Sequence, residues 1–336
     1  MAVTIRDVAD ATNVSPSTVS RVISDNPRIS QKTKEKVRLA MKELGYHPNF
    51  IARSLVNQST SVIGVVFPSS GDTAFQNPFF TEVLRAISEG AHDEKFGIQL
   101  TTGKTEEEIL NDVVQMVQGK RVDGLILLYS RHDDPIIDYL LEQNIPFVLV
   151  GQPTSKPDHI TYVDNDNCLA AKEGTEGLIH LNHKKIAFIG GVNGLMVTNK
   201  RLAGYKQALE EANIPIQEDY IIFDDFLIEG GKHAVEKLLA LKELPTAVLV
   251  TDDLMAMGVM QSLNEEGLRI PEDVAILSFN NTIFSVLSNP PLSSVDIHIF
   301  DLGLEAISQL VKRIKNPEEP VSHSIIPYEI VIRSSC

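Results

Sequence analysis

The apolar pattern of the chain changes near residue 60, and this change constrains the fold more strongly than any other feature of the sequence. Before it, the periodic segments have the spacing of amphipathic helices. After it, short apolar runs alternate with amphipathic stretches, which is typical of parallel sheets with helices on both faces. Strands are expected at 62–67, 98–102, 124–128 and 147–150, and in a second series at 185–190, 220–223, 247–251 and 275–279. The sequence therefore predicts an all-α N-terminal segment followed by an α/β core of two doubly wound parallel-sheet lobes.

The C-terminal tail carries one element too many for the second lobe, with a helix expected at 300–315 and strands at 323–326 and 328–333. We therefore expect the chain to cross back and complete both lobes. The expected first lobe comprises residues 59–161 and 292–320, and the expected second lobe comprises residues 162–291 and 321–336. Because open parallel sheets bind ligands at the carboxyl ends of their strands, we expect a binding site at the strand ends of the two lobes.

The first 47 residues have the pattern of a helix-turn-helix. Thr4 and Asp7 have the spacing of a capping box, and Asn13 suits a turn that requires positive φ. Ser15 can cap a second helix that has Pro16 at its first position. This pattern alone also fits an ordinary helical hairpin, but a helix-turn-helix would place the second helix in a DNA major groove. The outward-facing residues of that helix would be Pro16, Ser17, Ser20 and Arg21.

A third helix and a short fourth segment follow. The third helix is expected to start at Ser30 and to end at Gly45, which suits a C-terminal cap. Asn49 can cap a further helix of about nine residues, which is too short to persist alone in water. Such a marginal helix between two domains indicates an element that becomes ordered only when something binds it.

The sequences TIRDVADATNVSPSTVSRVIS (4–24) and ELGYHPNFIARSL (43–55) resemble the DNA-binding headpiece and hinge of the LacI/GalR family of bacterial transcription regulators. The resemblance implies a helix-turn-helix domain at 1–47 and a hinge helix at 48–58 that enters the minor groove as part of a dimer. It also implies that Leu55 is the apolar wedge that kinks the duplex. The residues expected at DNA are Thr4, Ser15, Pro16, Ser17, Ser20, Arg21, Asn26, Asn49, Ala52 and Leu55.

Charge is divided unequally along the chain. Residues 1–60 contain nine Lys and Arg against five Asp and Glu, a net charge of +4. The remaining residues carry −19, which gives the whole chain −15. An acidic protein would ordinarily be a poor candidate for DNA binding, but here a basic head can contact phosphates while the acidic body stays away from the duplex.

The resemblance extends over residues 59–336 and implies an effector-binding core built like a periplasmic sugar receptor. It implies that Arg201, in the segment KRLAGY, holds the effector. It further implies that Asp252 contacts the ligand, that Asp253 is a helix cap, and that Asn280 occupies a position that is usually aspartate in the family.

Aromatic residues are expected to complete this site. Phe79 and Phe80 open the first helix after strand 62–67, where their rings can stack on the apolar face of a sugar. Leu195, Gly151 and Leu227 replace charged residues of the purine-responsive branch of the family. The resulting neutral, aromatic-walled cleft favours a small saccharide over a purine or a charged ligand.

Two segments, RVDGLILLYS (121–130) and TYVDNDN (161–167), resemble the maltose-operon repressors of Gram-positive bacteria within the family. This resemblance implies a maltose or maltodextrin effector and an operator that is an approximate palindrome read by a homodimer. A dimer is expected rather than a tetramer because no heptad segment follows Arg333. A carbon-catabolite regulator with a phosphoprotein co-repressor is the main alternative, and a sugar-binding receptor or enzyme with a similar core is a second one.

Other classes of protein find less support in the sequence. The chain has no apolar run of 18 residues and no apolar signal region, so a cytoplasmic protein without a membrane partner is expected. Its two cysteines, Cys168 and Cys336, are too few for a disulfide framework. Gly190–Gly194 fits no phosphate-loop motif, and the pair His180 and His183 lacks a carboxylate partner for a metal. We therefore expect no cofactor, no metal and no enzymatic activity.

Overall fold

The computed structural model describes residues 3–46, 59–68 and 74–336. The chain divides into two compact units, residues 1–60 and residues 61–336. The hinge positions Asn49, Ala52 and Leu55 lie outside the described residues.

The helices of the first unit are α1 (Ile5–Thr12), α2 (Pro16–Ile23) and α3 (Gln31–Leu44) within residues 3–46. Before α1, the backbone N–H of Thr4 donates to Asp7 Oδ2 at 2.7 Å. Asn13 ends α1 with a φ of 51°, and Gly45 ends α3 with a φ of 66°. Ser15 Oγ accepts the backbone N–H three residues ahead at 3.2 Å. These caps confirm the predicted helix ends. The three helices bury Val8, Ala9, Val19, Val22, Val37 and Ala40 between them.

The second unit alternates strands and helices as the sequence predicts. Its strands are β1 (Val62–Val66), β2 (Gly97–Leu100), β3 (Gly124–Leu127), β4 (Phe147–Val150), β5 (Thr161–Asp164), β6 (Ile186–Gly190), β7 (Ile221–Phe223), β8 (Ala247–Val250), β9 (Ala275–Phe279), β10 (Ser293–Asp296), β11 (His323–Ile325) and β12 (Glu329–Val331). Its helices are α4 (Pro78–Asp93), α5 (Glu106–Gln118), α6 (Pro135–Glu142), α7 (Asn167–His180), α8 (Met196–Glu211), α9 (Ile228–Leu239), α10 (Asp253–Glu265), α11 (Ile283–Leu287) and α12 (Ile299–Lys315).

These strands form two six-stranded sheets, one in each lobe. The first sheet has the order β11-β5-β4-β3-β1-β2, and all of its neighbouring strands are parallel. The second has the order β12-β10-β9-β8-β6-β7, with only β12 antiparallel to its neighbour. Every residue of β3, β4, β8 and β9 is buried, because helices cover both faces of each sheet. The predicted doubly wound architecture is confirmed.

The predicted division of the tail is correct for α12 and β12 but wrong for two strands. The helix α12 packs on α4 of the first lobe, and β12 joins the second sheet, both as expected. However, β10 pairs with β9 in the second lobe, whereas we placed 292–320 entirely in the first. Likewise, β11 pairs with β5 in the first lobe, whereas we placed 321–336 entirely in the second.

The physical reason for these errors is that the misplaced strands are short and carry few apolar residues. β10 begins with Ser293 and Ser294, and β11 has the sequence His-Ser-Ile. β5, Thr-Tyr-Val-Asp, was not predicted as a strand for the same reason, so the boundary expected at residue 161 falls at its first residue. Apolar runs identify central strands, but here they do not identify these short ones.

As a result, the chain crosses between the lobes three times, after β5, after β10 and after β11. Asn165 lies in the first crossover and is 4% exposed. Its side chain connects all three crossovers. Its Nδ2 donates to the carbonyl oxygens of Ile297 at 3.0 Å and Ile326 at 2.9 Å. Three crossovers that lie side by side can act as one hinge, about which the two lobes rotate.

The helices of the second lobe approach one another closely through glycines. A Cβ atom on Gly204 of α8 would lie 2.0 Å from the carbonyl oxygen of Cys168 in α7. One on Gly258 of α10 would lie 1.9 Å from the carbonyl oxygen of Ile228 in α9. These distances are far below van der Waals contact, so glycine is required where each helix pair crosses.

Candidate functional site

A cavity of about 500 Å³ lies between the two lobes. It is formed at the carboxyl ends of the strands, where the topology of parallel sheets predicts a binding site. All five residues that the sequence analysis assigned to an effector line this cavity, namely Phe79, Phe80, Arg201, Asp252 and Asn280. Leu195, Gly151 and Leu227 line it as well.

Arg201 is a buried cation held in one orientation. It projects from α8 and is 3% exposed. Its Nε donates to Asn167 Oδ1 at 2.9 Å, its Nη1 donates to the carbonyl oxygen of Thr251 at 2.6 Å, and its guanidinium carbon lies 4.0 Å from the centroid of the Phe279 ring. Burial lowers the pKa of Arg201 to about 10, so the group remains charged at neutral pH. The fixed guanidinium can hold a ligand oxygen without further ordering.

Asp252 is held by hydrogen bonds from both lobes. Its Oδ1 accepts the backbone N–H groups of Leu254 at 2.8 Å and Met255 at 3.2 Å, so Asp252 caps α10. Its Oδ2 accepts Asn280 Nδ2 at 2.8 Å and Asn77 Nδ2 at 2.9 Å. Burial raises the pKa of Asp252 to about 7, against the opposing effect of these donors.

The expectation that Asp253 caps this helix is wrong. Asp253 is the first residue of α10 and lies below the cavity wall, 1% exposed. One carboxylate oxygen accepts Ser278 Oγ and Ser294 Oγ, and the other accepts the backbone N–H of Thr282 at 2.6 Å. Its neighbour Asp252 has the extended backbone of a cap residue, with a φ of −161°, and takes that role.

Asn280 has an unusual backbone conformation, with a φ of 103°. Few residues other than glycine adopt such a value, and they persist only where the surroundings fix them. Here the backbone N–H of Asn280 donates to the carbonyl oxygen of Val295 at 2.8 Å, and its side chain donates to Asp252. The strained backbone therefore orients the carboxamide at the cavity wall.

Aromatic rings from both lobes line the cavity. Phe79 and Phe80 meet edge to face, with ring centroids 5.1 Å apart, on the first turn of α4. Phe226 contributes a ring from the second lobe and lies so close to Gly191 that a Cβ atom there would be 2.0 Å from it. The site thus combines apolar walls with a few fixed polar groups, which is the composition of a small-molecule pocket.

Several polar and aromatic residues of this site were not predicted from the sequence. Asn77 caps α4 through Oδ1, which accepts the N–H of Phe79 at 2.9 Å, and the dipeptide Asn-Pro at the start of the helix could have indicated it. Asp164 ends β5, and burial raises its pKa to about 6. Phe226 had no distinguishing signal, because its position depends on the folding of the second lobe.

Arg131, a cation at the cavity, lies between two carboxylates, those of Glu106 and Asp134. The guanidinium of Arg131 forms an ion pair with Glu106 and donates to the carbonyl oxygen of Pro68 at 3.2 Å. It also lies 4.5 Å from the centroid of the Tyr129 ring. The predicted neutral cleft therefore has charged groups at its wall that were not predicted from the sequence.

In the first unit, the residues predicted to face DNA lie largely on the surface. Thr4, Ser15, Pro16, Ser17 and Arg21 are exposed, whereas Ser20 and Asn26 are half-buried. Apart from Lys36, whose Nζ donates to the carbonyl oxygen of Thr12 at 2.8 Å, the basic residues of 3–46 divide into two groups by their contacts. Lys34 and Arg38 form ion pairs with Asp25, whereas no ion pair within residues 3–46 involves Arg6, Arg21, Arg28, Lys32 or Lys42. The second group is therefore available to phosphates or bases.

The described residues provide neither a candidate membrane span nor a cluster of metal ligands. Within them, no helix is both long and apolar enough to cross a membrane. No group of three or more His, Cys, Asp or Glu side chains in the same residues could hold a metal ion.

Both parts of the chain match known protein families. Residues 4–49 match the model described as bacterial regulatory proteins, lacI family, and residues 175–336 match that of the periplasmic binding protein-like domain. The HTH-type transcriptional regulator MalR of Streptococcus pneumoniae is 44% identical over 338 aligned residues. The alignment covers 98% of this chain and 99% of that protein.

Solved structures agree with this relationship. A transcriptional regulator CelR–cellobiose complex is 30% identical, with a TM-score of 0.78 over 99% of this chain and 100% of that one. A Lac repressor dimer bound to operator and the anti-inducer ONPF is 26% identical, with a TM-score of 0.85 over 100% of this chain and 99% of that one. By sequence and by structure along its length, the chain belongs to the LacI family of bacterial regulatory proteins.

Proposed function

We propose that the protein is a transcriptional repressor whose affinity for operator DNA is controlled by a maltose-type sugar. The observation that carries this proposal is the cavity of about 500 Å³, where aromatic rings surround the fixed polar groups of Arg201, Asp252 and Asn280. The same chain carries a helix-turn-helix formed by α1 and α2. Sugars are recognised by stacking on their apolar faces and by hydrogen bonds to their hydroxyls. The likeness to MalR supports maltose or a related maltodextrin, and the likeness to the CelR–cellobiose complex supports a disaccharide in the cavity.

In the proposed mechanism, the two lobes transmit the binding of sugar to the DNA-binding unit. Each protomer docks α2 in the major groove of one half-site, and the hinge segments 48–58 pair in the minor groove. A sugar in the cavity changes the angle between lobes that are connected by three crossovers. This change separates the hinge segments and lowers operator affinity, with a typical allosteric coupling of about 5- to 150-fold.

A homodimer is part of this proposal. An approximate palindrome is read by two identical headpieces, so the symmetry of the operator reflects that of the protein. The Lac repressor structure that this chain resembles is a dimer on its operator. In addition, the short helix α11 exposes three apolar side chains, Ile283, Val286 and Leu287, which suit burial against a second copy.

We further propose that the cavity binds sugar without chemical conversion and that the protein acts in the cytoplasm, where its operator is. The carboxylate of Asp164 accepts three protein donors, from Gln152, Asn165 and Asn167, at 2.8 to 2.9 Å. That of Asp252 is bonded in the same manner. Protein donors thus occupy three of about four acceptor positions on Asp164 and all four on Asp252, which leaves little room for either carboxylate to take a proton from a bound sugar or water. Chromatography of a sugar after prolonged incubation with the protein should recover it unchanged.

The experiment that tests the proposed function has two steps. Selection from a random DNA library should first yield an approximate palindrome that the full-length protein binds. Fluorescence anisotropy with that DNA should then show weaker binding when maltose or a maltodextrin is added, but not with an equal concentration of sucrose. Failure to enrich any palindrome would refute the DNA-binding part, and an operator affinity that no sugar alters would refute the effector part.

Arg21→Ala should weaken operator binding by roughly 5- to 150-fold, since a bidentate contact with guanine contributes about 1–3 kcal/mol. Binding to random DNA should change little, because Arg21 is expected to read a base and not a phosphate. Lys42→Ala, which removes another exposed cation of the same unit, is the matched control and should change binding to both DNAs by the same factor. An equal loss on both DNAs for Arg21→Ala would instead make Arg21 a phosphate contact.

Leu55→Ala should reduce the bend of the operator without abolishing the hinge. Alanine removes the proposed wedge but retains high helix propensity. Gel mobility of circularly permuted operator fragments measures the bend angle directly. The same angle with wild type and variant would show that Leu55 packs against protein and does not enter the base stack.

A further inference from the structure

The carboxylate of Asp252 is saturated by donors that belong to the protein. A carboxylate offers about four acceptor positions, two on each oxygen. On Asp252, Oδ1 takes the backbone N–H groups of Leu254 and Met255, and Oδ2 takes the side chains of Asn280 and Asn77. A sugar hydroxyl can therefore donate to Asp252 only by replacing one of these four groups.

Asn77 differs from the other three donors because it lies in the first lobe. Its Nδ2 reaches two acceptors of the second lobe, Asp252 Oδ2 at 2.9 Å and the carbonyl oxygen of Phe226 at 3.3 Å. Its Oδ1 meanwhile caps α4, the helix that carries Phe79 and Phe80. A single amide, 4% exposed, thus joins the aromatic wall of one lobe to the polar centre of the other.

The remaining donors cannot leave Asp252 when the lobes separate. Leu254 and Met255 belong to the helix that Asp252 itself caps. Asn280 follows β9 in the same lobe, and its backbone is tied to Val295 by a hydrogen bond of 2.8 Å. Rotation about the three crossovers therefore breaks the Asn77 bond while it leaves the other three in place.

We propose that Asn77 is an interlobe latch that occupies the position of a ligand hydroxyl on Asp252 Oδ2 and that the effector displaces. The latch holds the cleft closed when no sugar is present. An entering hydroxyl takes over the carboxylate oxygen and releases α4 from the second lobe. This inference rests on the proposed function, because it assigns a regulatory step to the same effector site.

Asn77→Ser separates the latch from the helix cap. Serine is a good N-cap and keeps an oxygen acceptor for the N–H of Phe79, but it has no amide nitrogen to reach Asp252. Calorimetric titration of the full-length variant with maltose should show binding roughly fivefold tighter than wild type, since the sugar no longer competes with an internal hydrogen bond. Asn316→Ser, which removes an exposed side-chain contact with Glu319 on the first lobe, is the matched control and should bind like wild type.

Weaker maltose binding by Asn77→Ser would overturn the proposal, because it would make Asn77 a ligand contact or a support of the site. Asn77→Ala adds a check on the cap. It should resemble Asn77→Ser in affinity but lose thermal stability, because alanine is a poor N-cap.

Hydrogen–deuterium exchange of the protein without sugar tests the latch independently of any ligand. In Asn77→Ser, amides of segments 226–231 and 252–258 in the second lobe should exchange several-fold faster, because the cleft opens more often. Simple fraying of α4 would accelerate exchange only in segment 78–82. Unchanged exchange in the second lobe would overturn the latch.

The two proposals fail in different ways. If the wild type bound neither maltose nor a maltodextrin, the proposed effector would be wrong, and hydrogen exchange would then decide on the latch alone. The wild type could instead bind maltose while Asn77→Ser had the same hydrogen exchange rates and the same maltose affinity as the wild type. That result would support the effector site and refute the latch.

Discussion

Arg201→Ala is expected to weaken sugar binding by roughly 30- to 150-fold, equivalent to about 2–3 kcal/mol, the contribution of a charge-assisted hydrogen bond in a buried site. The guanidinium is fixed before any ligand arrives, by Asn167 and by the carbonyl oxygen of Thr251, so no ordering cost offsets its contribution. Removing it also leaves Asp164 and Asp252 without their neighbouring cation. Calorimetry with maltose on the folded variant measures the loss.

Arg201→Lys is the matched control for this experiment. Lysine keeps the charge but lacks the planar set of donors of a guanidinium. Relative to Arg201→Ala, it should therefore restore part of the protein's stability and little of the sugar affinity. Operator binding without sugar should be that of the wild type in both variants. Loss of operator affinity without sugar would show that Arg201 supports the lobes or the dimer, and an unchanged sugar affinity would remove Arg201 from the effector site.

Gly204→Ala should destabilise the second lobe by about 2–3 kcal/mol, although it adds only one methyl group. The new Cβ would lie 2.0 Å from the carbonyl oxygen of Cys168 and 2.8 Å from the backbone nitrogen of Lys172. Both contacts are with backbone, so α8 must move away from α7 as a whole, and overpacking of this kind typically costs about 1–3 kcal/mol. Urea unfolding followed by circular dichroism should show the loss as a lower midpoint.

Gly177→Ala is the same chemical change on the partner helix, but it should change the stability of the protein in the opposite direction. Nothing lies within 4 Å of the position that its Cβ would occupy, in the exposed interior of α7. Alanine there should stabilise the protein by about 0.5–1 kcal/mol through helix propensity. If Gly204→Ala were as stable as Gly177→Ala, the close approach of α7 and α8 would not be needed for the fold.

Local rules predicted the headpiece well because its caps are read from neighbouring residues. Thr4 with Asp7, Asn13 and Gly45 each determine a helix end through contacts within a few positions in the chain. The central strands of the lobes were equally predictable, since burial on both faces demands continuous apolar runs such as Gly124–Leu127.

The short strands could not be predicted in this way. β10 is recognised by its pairing with β9, and its serine hydroxyls are satisfied by distant partners, as when Ser294 Oγ donates to Asp253. Such pairing is a property of the folded sheet. The sequence alone therefore placed the crossover after β10 at the wrong end of that strand.

The candidate site was also predicted only in part from the sequence. Arg201, Asp252 and Asn280 came from the resemblance to a family, and they line one cavity together with Phe79 and Phe80. Asn77 was missed because its partner lies 175 positions away, across the cleft. The assignment of the α10 cap to Asp253 failed because the choice between adjacent aspartates depends on backbone conformation, and Asp252 alone has the extended one.

The three crossovers also determine the order in which a growing chain can become functional. The headpiece helices are complete once α3 ends at Leu44, but the first sheet lacks its edge strand until β11, at His323–Ile325, has been made. At typical synthesis rates this interval lasts roughly 15–50 s. During that time each ribosome carries a basic DNA-binding head whose sugar-sensing body is unfinished. Once β5 has been made, its edge stays unpaired until β11 follows. Regulation is therefore the last property the nascent protein acquires.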